Sequence, residues 1–309
     1  TGGSIRTTNT RISGGSAVYN LIGGHLDLTS ISNNSLFLGD VSGGGVLNIS
    51  GGGSITIGRE FQLSDSVFTF ENGNISNIGG LLTVGFNANT HAEVTVSDGH
   101  TLNVGSLEVA PIRTGSSGVY TQNGGLVTIS GNTAMALALT TDTDAEVNLN
   151  GGTIELNKSG GLAGFHGIRI GDGSGTAIVN IAGAGVVRTG TNTAAVIDMN
   201  IREDANATGV VRGHGEFDFT TGALPDGNGT FTNSGQVVAD GDGMDRTLSI
   251  KGFTTYADPV TTAAQGNSFR DGTPGYYAVD GGRLTLDTIQ DFTATNGGDV
   301  TWGEDVSGG

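Results

Sequence analysis

The chain has 309 residues, 57 of them glycine and four proline, no cysteine, and a net charge of -17 from 13 basic against 30 acidic side chains. No cysteine means no disulfide staples and no thiolate metal sites, so hydrogen bonds and packing alone must hold the fold. So few Lys and Arg argue against binding a phosphate backbone, and no run approaches the ~18 apolar residues of a spanning helix, so neither nucleic acid nor membrane insertion is expected.

The sequence opens at Thr1 without methionine, which reads as a mature or trimmed product, consistent with removal of a signal peptide. From Val18 onward a unit of the form Val-x-x-x-x-Gly-Gly-x-Leu-x-Leu recurs: VYNLIGGHLDL at Val18, LNISGGGSITI at Leu47, VTVSDGHTLNV at Val94, and VYTQNGGLVTI at Val119. It continues as VNLNGGTIEL at Val147, VNIAGAGVVRT at Val179 and YAVDGGRLTL at Tyr277, with looser copies at Val67, Val210 and Thr232. Between Gly23 and Gly235 the central glycines of successive copies lie 21 to 32 residues apart. That spacing is the range of a solenoid coil, and its irregularity points to loop insertions on one side.

Within a copy the apolar residues alternate, as Val147 and Leu149, then Ile154 and Leu156. Alternation means strands with one buried face, and the odd step from Leu149 to Ile154 requires a bend at Gly151 and Gly152. A further strand precedes several copies, at FLGD from Phe37, TVGFN from Thr83, EVAP from Glu108 and RIGDGSG from Arg169. Three short strands per coil predict an all-β, parallel β-solenoid (β-helix) of about nine to ten irregular coils, each strand pairing with its equivalent one coil along. An antiparallel sandwich with Asn-Gly hairpins at Asn123 and Asn150 is the alternative, but it gives no reason for the self-similarity. Stacked aliphatics are expected inside, and ladders of Asn, Thr and Ser outside.

The pattern changes after residue 250. We therefore divide the chain into repeats over 1–250 and a cap or end-to-end docking segment over 251–309, which holds clustered aromatics and the single tryptophan. A solenoid end exposes core and unpaired strand edges and needs such a cover. Tyr276, Tyr277 and Trp302 are the candidate interface residues.

The copies VYTQNGGLVTI, VNLNGGTIEL and RIGDGSGTAIVNIAGAG resemble the repeats of bacterial autotransporter-type adhesins and of planctomycete-type glycine-rich surface proteins, over roughly residues 15 to 250. That resemblance implies an extracellular protein of adhesion or surface structure. No outer-membrane barrel module is legible.

Residues that could carry chemistry are few. In TTDTDAEVN, Asp142, Asp144 and Glu146 share one face if the strand reaches that far, opposite Val147 and Leu149, and read as a solvated ladder or a weak calcium site. DGDGMD offers Asp240 and Asp242 as calcium candidates, but the fifth loop position is Met244 and the twelfth Lys251, so the EF-hand pattern fails and turn chemistry explains the run. His25, His91, His100, His166 and His214 lack metal-ligand spacing. His91 with Glu93 forms an H-x-E fragment without the cysteines of a zinc deaminase. GDGSG at Gly171 has no helix after it to cradle phosphate. No catalytic residue and no cofactor beyond possible calcium is expected. The reading is an extracellular structural protein polymerising head to tail with itself. A surface adhesin or glycan-binding passenger with polysaccharide as partner is the alternative, and a polysaccharide lyase or glycosidase the third choice.

Overall fold

A computed structural model describes residues 4–6, 10–14, 17–29, 34–71, 74–131, 134–157, 167–171, 175–190, 198–204, 207–220, 230–242, 244, 246–253, 255–257, 276–280, 282–288 and 301–302. Every regular element among them is a β-strand. The strands form three long parallel ladders, each strand bonding to its counterpart one turn of the chain later, so the architecture is solenoidal. Antiparallel contact among the described residues is confined to Glu203–Asp204 against Ala207–Gly213 and an Asp40 to Gly43 bridge, which overturns the sandwich alternative.

The first face runs from Ser4–Arg6 through His25–Leu28, Ser54–Ile57, Leu126–Ile129, Thr153–Leu156, Val186–Thr189 and Gly215–Asp218 to Thr247–Phe253 and Arg283–Thr288. The second runs from Thr10–Ile12 through Ser35–Leu38, Glu60–Leu63, Met135–Leu137, Gly167–Ile170, Asp198–Ile201 and Thr230–Asn233 to Thr255–Ala257. Ile75–Val84 and Thr101–Val109 each serve both faces, bending at Gly79, Gly80 and Gly105, where one extra residue in the earlier strand shifts the register.

On the third face, among the described residues, Val18–Ile22 and Val46–Ser50 pair only with each other. The main ladder then runs from Ser66–Phe70 through His91–Val96, Ser117–Gln122, Asp144–Leu149, Thr176–Ile181, Ala207–Gly213 and Gln236–Asp240 to Tyr276–Asp280 and Thr301–Trp302.

Alternation makes the interior. Val147 and Leu149 on the third face, Ile154 and Leu156 on the first, and Ile168 and Ile170 on the second are all buried in one cluster. The repeat's glycines turn the corner between third and first faces. Gly152 has φ of +78°, and a Cβ on it would meet the Gly124 carbonyl carbon at 2.5 Å, so only glycine fits both the handedness and the stacking of corners.

The interior is not purely aliphatic, contrary to expectation. Phe61, Phe68 and Phe70 pack edge-to-face with centroids 4.7–6.3 Å apart, and Phe219, Phe231 and Phe253 form a second cluster toward the later coils. Edge-to-face packing lets three rings from two strands fill one tube section that aliphatics fill elsewhere. Outside, the asparagine part of the expected ladders is present: Asn48 donates to Asn20 at 2.7 Å, Asn103 to Asn77 at 2.8 Å and Asn180 to Asn148 at 2.7 Å.

Candidate functional site on the third face

The outward positions of the third-face strands start a cleft of ≈ 300 Å³ lined by His91, Ser117, Val119, Asp144, Glu146 and Ile178, among others. Register puts these side chains together: Ser117 stands between His91 and Asp144 on neighbouring strands, and Val119 between Glu93 and Glu146. A second cleft, of ≈ 460 Å³, opens where the third-face ladder breaks between Val46–Ser50 and Ser66–Phe70, and His91 borders both.

Ser117 Oγ lies 2.8 Å from His91 Nδ1, and His91 Nε2 lies 3.1 Å from Glu93 Oε1. Hydroxyl, imidazole and carboxylate in that order are the parts of a nucleophile, its base and the group that orients the base. Two features turn the arrangement away from acyl transfer. The amide of Ser117 donates to the Thr90 carbonyl and that of Asp144 to the Ser116 carbonyl, so the nearest amides are taken up by coil-to-coil bonds instead of facing a developing oxyanion. Asp144, directly opposite Ser117, adds negative charge where an oxyanion would form.

The His–Ser pairing also recurs away from the cleft. His25 Nδ1 is 2.8 Å from Ser54 Oγ on the first face, again one coil apart, while Asp27 there accepts from the amide and hydroxyl of Thr29. The pair is a ladder contact that appears wherever histidine and serine fall in register. What the cleft offers is a row of donors and acceptors, Ser117, Thr176, Asp144 and Glu146, beside the apolar Val119 and Ile178. Such a mixed strip suits a hydroxyl-rich chain laid along the axis.

The remaining sequence candidates are dispersed. Asp144 opens its strand and is exposed, but Asp142 sits in the preceding turn with φ of +54°, so the two do not share a strand face as the spacing required. Asp240 ends Gln236–Asp240 and its Oδ1 accepts the Asp242 amide at 2.9 Å, which is turn chemistry. Two strands, Thr176–Ile181 and Ala207–Gly213, separate the rung of Asp144 from that of Asp240. Among the described residues no group of three or more His, Cys, Asp or Glu could hold a metal. Asp245, the last residue of the DGDGMD run, and His166 lie outside the described residues.

Tyr276, Tyr277 and Trp302 are brought together in backbone register, Tyr277 pairing with Val237 on one side and with Trp302 on the other. Most of the segment assigned as a cap, including 258–275 and 289–300, lies outside the described residues.

Two of the histidines, both in loops between strands, are buried. His100 is buried at a corner, its ring 5.2 Å from that of Phe70, with Nδ1 donating to the Glu71 carbonyl at 2.7 Å. His214 is buried at a later corner, where Nε2 accepts from the Gly183 amide at 2.9 Å and Nδ1 faces the Asp240 carbonyl. Both hold one coil's corner to another's. Ser117 was missed because its partner is 26 residues away, and only the copies stacked in register would have shown it.

No family model, curated protein or solved structure matches the chain.

Proposed function

We propose that this chain is an extracellular structural protein, a secreted subunit of a self-assembling surface filament or matrix, and that its work is mechanical and not enzymatic. One observation carries this reading: parallel strand pairing repeats along the first face from Ser4–Arg6 to Arg283–Thr288, each rung presenting its edge to the next. A rod built this way keeps adding rungs if the last strand of one copy pairs with the first of another, and that heterologous contact generates an open filament. The acidic exterior would keep such filaments apart laterally. The resemblance of the repeats to surface adhesins agrees with this setting.

Electron microscopy and size-exclusion chromatography of the purified chain, with and without calcium, test it. Uniform filaments support the proposal, and discrete rods one molecule long overturn it.

A second reading, a glycan-binding adhesin, is favoured by the third-face cleft with its polar strip beside Val119 and Ile178. Binding of a soluble acidic-to-neutral polysaccharide series that is lost in Ser117→Trp supports that reading, and unchanged binding removes the cleft from it.

A further inference from the structure

Several outward positions of the second face are buried. Gln62, Thr83 and Glu108 stand in one row on consecutive rungs, with Glu60 beside Gln62 on its own strand. Gln62 is 7% exposed and Thr83 1%. Within that row two oxygens have no hydrogen-bond partner among the described residues, Oε1 of Gln62 and Oγ1 of Thr83. A buried oxygen without a partner is destabilising, so two adjacent ones flanked by carboxylates call for a positive or donating ligand.

We propose that Glu60, Gln62, Thr83 and Glu108 form a binding site for one hard divalent cation, calcium by its tolerance of irregular geometry. The ligand set is all oxygen: two carboxylates, one amide carbonyl and one hydroxyl. Strand spacing supports it, because an ion over the Thr83 rung has the Gln62 and Glu108 rungs ~4.8 Å to either side, about twice a calcium–oxygen distance, a gap these long side chains cross by leaning inward. Thr83 occupies the middle rung, between Gln62 and Glu108.

The electrostatics agree. Burial, and secondarily the charge of Glu60, raise the pKa of Glu108 above the ordinary carboxylate value. An ion between the two carboxylates removes that conflict. Glu60 already accepts from Gln62 Nε2 at 2.7 Å and pairs with Arg59 at 3.0 Å, and each oxygen retains a lone pair for a metal. The site differs from the Asp142, Asp144, Asp240 and Asp242 candidates and does not depend on filament formation.

The test is calorimetric titration of the chelator-treated full chain with calcium chloride, and with magnesium chloride in parallel. One calcium per chain should bind with a dissociation constant at or below about 1 mM, at least tenfold tighter than magnesium. Glu108→Gln should weaken calcium binding by about tenfold or more, and Thr83→Val by a few-fold, with the unfolding transition in chelator no lower than wild type. Asp142→Asn and Asp144→Asn should leave the affinity unchanged. Absence of saturable heat up to about 10 mM calcium, equal magnesium affinity, or binding that survives Glu108→Gln overturns the site.

Discussion

The hydroxyl of Tyr120 donates to Gln122 Oε1 at 3.3 Å inside the tube, where both side chains are wholly buried. Gln122 interrupts an otherwise apolar column, between Val96 on one rung and Leu149 on the next. Its Nε2 donates to the Thr153 carbonyl at 3.1 Å and more weakly to that of Gly125, tying the third face to the first across the corner. Burial raises the Tyr120 pKa, so the phenol stays protonated and remains a donor.

Gln122→Leu should therefore destabilise the chain by about 1–3 kcal/mol, since it strands the Tyr120 hydroxyl in the core. Tyr120→Phe with Gln122→Leu should cost less than the sum of the two single changes, because the pair removes donor and acceptor together. Denaturant titration of the four proteins measures the coupling.

Acid should loosen the corner at His100. Burial lowers its pKa below 6.5, and among the described residues its Nε2 has no partner to accept a second proton. The unfolded chain then binds the proton more readily than the folded one, so this contribution is complete above about pH 6.5 and is lost as pH falls below it. In His100→Gln, melting temperature measured across that range should show a smaller acid decline than wild type.

The corner glycines should differ sharply although they are adjacent. Gly152→Ala forces a side chain into φ of +78° and against the Gly124 carbonyl, and should cost more than about 1–2 kcal/mol. Gly151 lies outside the left-handed region and its added Cβ would stand 3.0 Å from the Asn123 carbonyl oxygen, so Gly151→Ala should be the milder change. Thermal unfolding of the two variants ranks them.

An alternating charge row crosses the later coils on the first face, Glu155, Arg188, Asp218 and Lys251 in register. Arg188 meets Glu155 at 3.1 Å, and Lys251 pairs with Glu216 and, at 3.3 Å, Asp218. Glu216 is the main reason the Lys251 pKa is raised. These groups are partly exposed, so solvent screening keeps the contribution small: Lys251→Met should lose about 0.2–1 kcal/mol at low salt and almost nothing at 1 M salt. Unfolding curves at the two salt concentrations decide it.

The repeat with its alternating apolar residues and paired glycines was enough to predict parallel pairing, three strands per coil and a bend at Gly151 and Gly152. These are local properties: strand periodicity and glycine's access to positive φ act within a few residues and leave their mark in the sequence. The outer asparagine ladders followed from the same periodicity, given only that equivalent positions stack.

What the sequence could not decide is which residues 20 to 35 positions apart fall in register. The Ser117 to His91 contact, the buried Gln122, the phenylalanine clusters and the row of Gln62, Thr83 and Glu108 all depend on the irregular number of residues in each coil. Glu60 and Glu108 look like ordinary surface acids on their own strands, and Asp142 looks like a neighbour of Asp144. Coil length sets register, and register decides which side chains share an environment. The sequence by itself thus determined the kind of object this protein is, while the stacking of unequal coils decided where its chemistry lies.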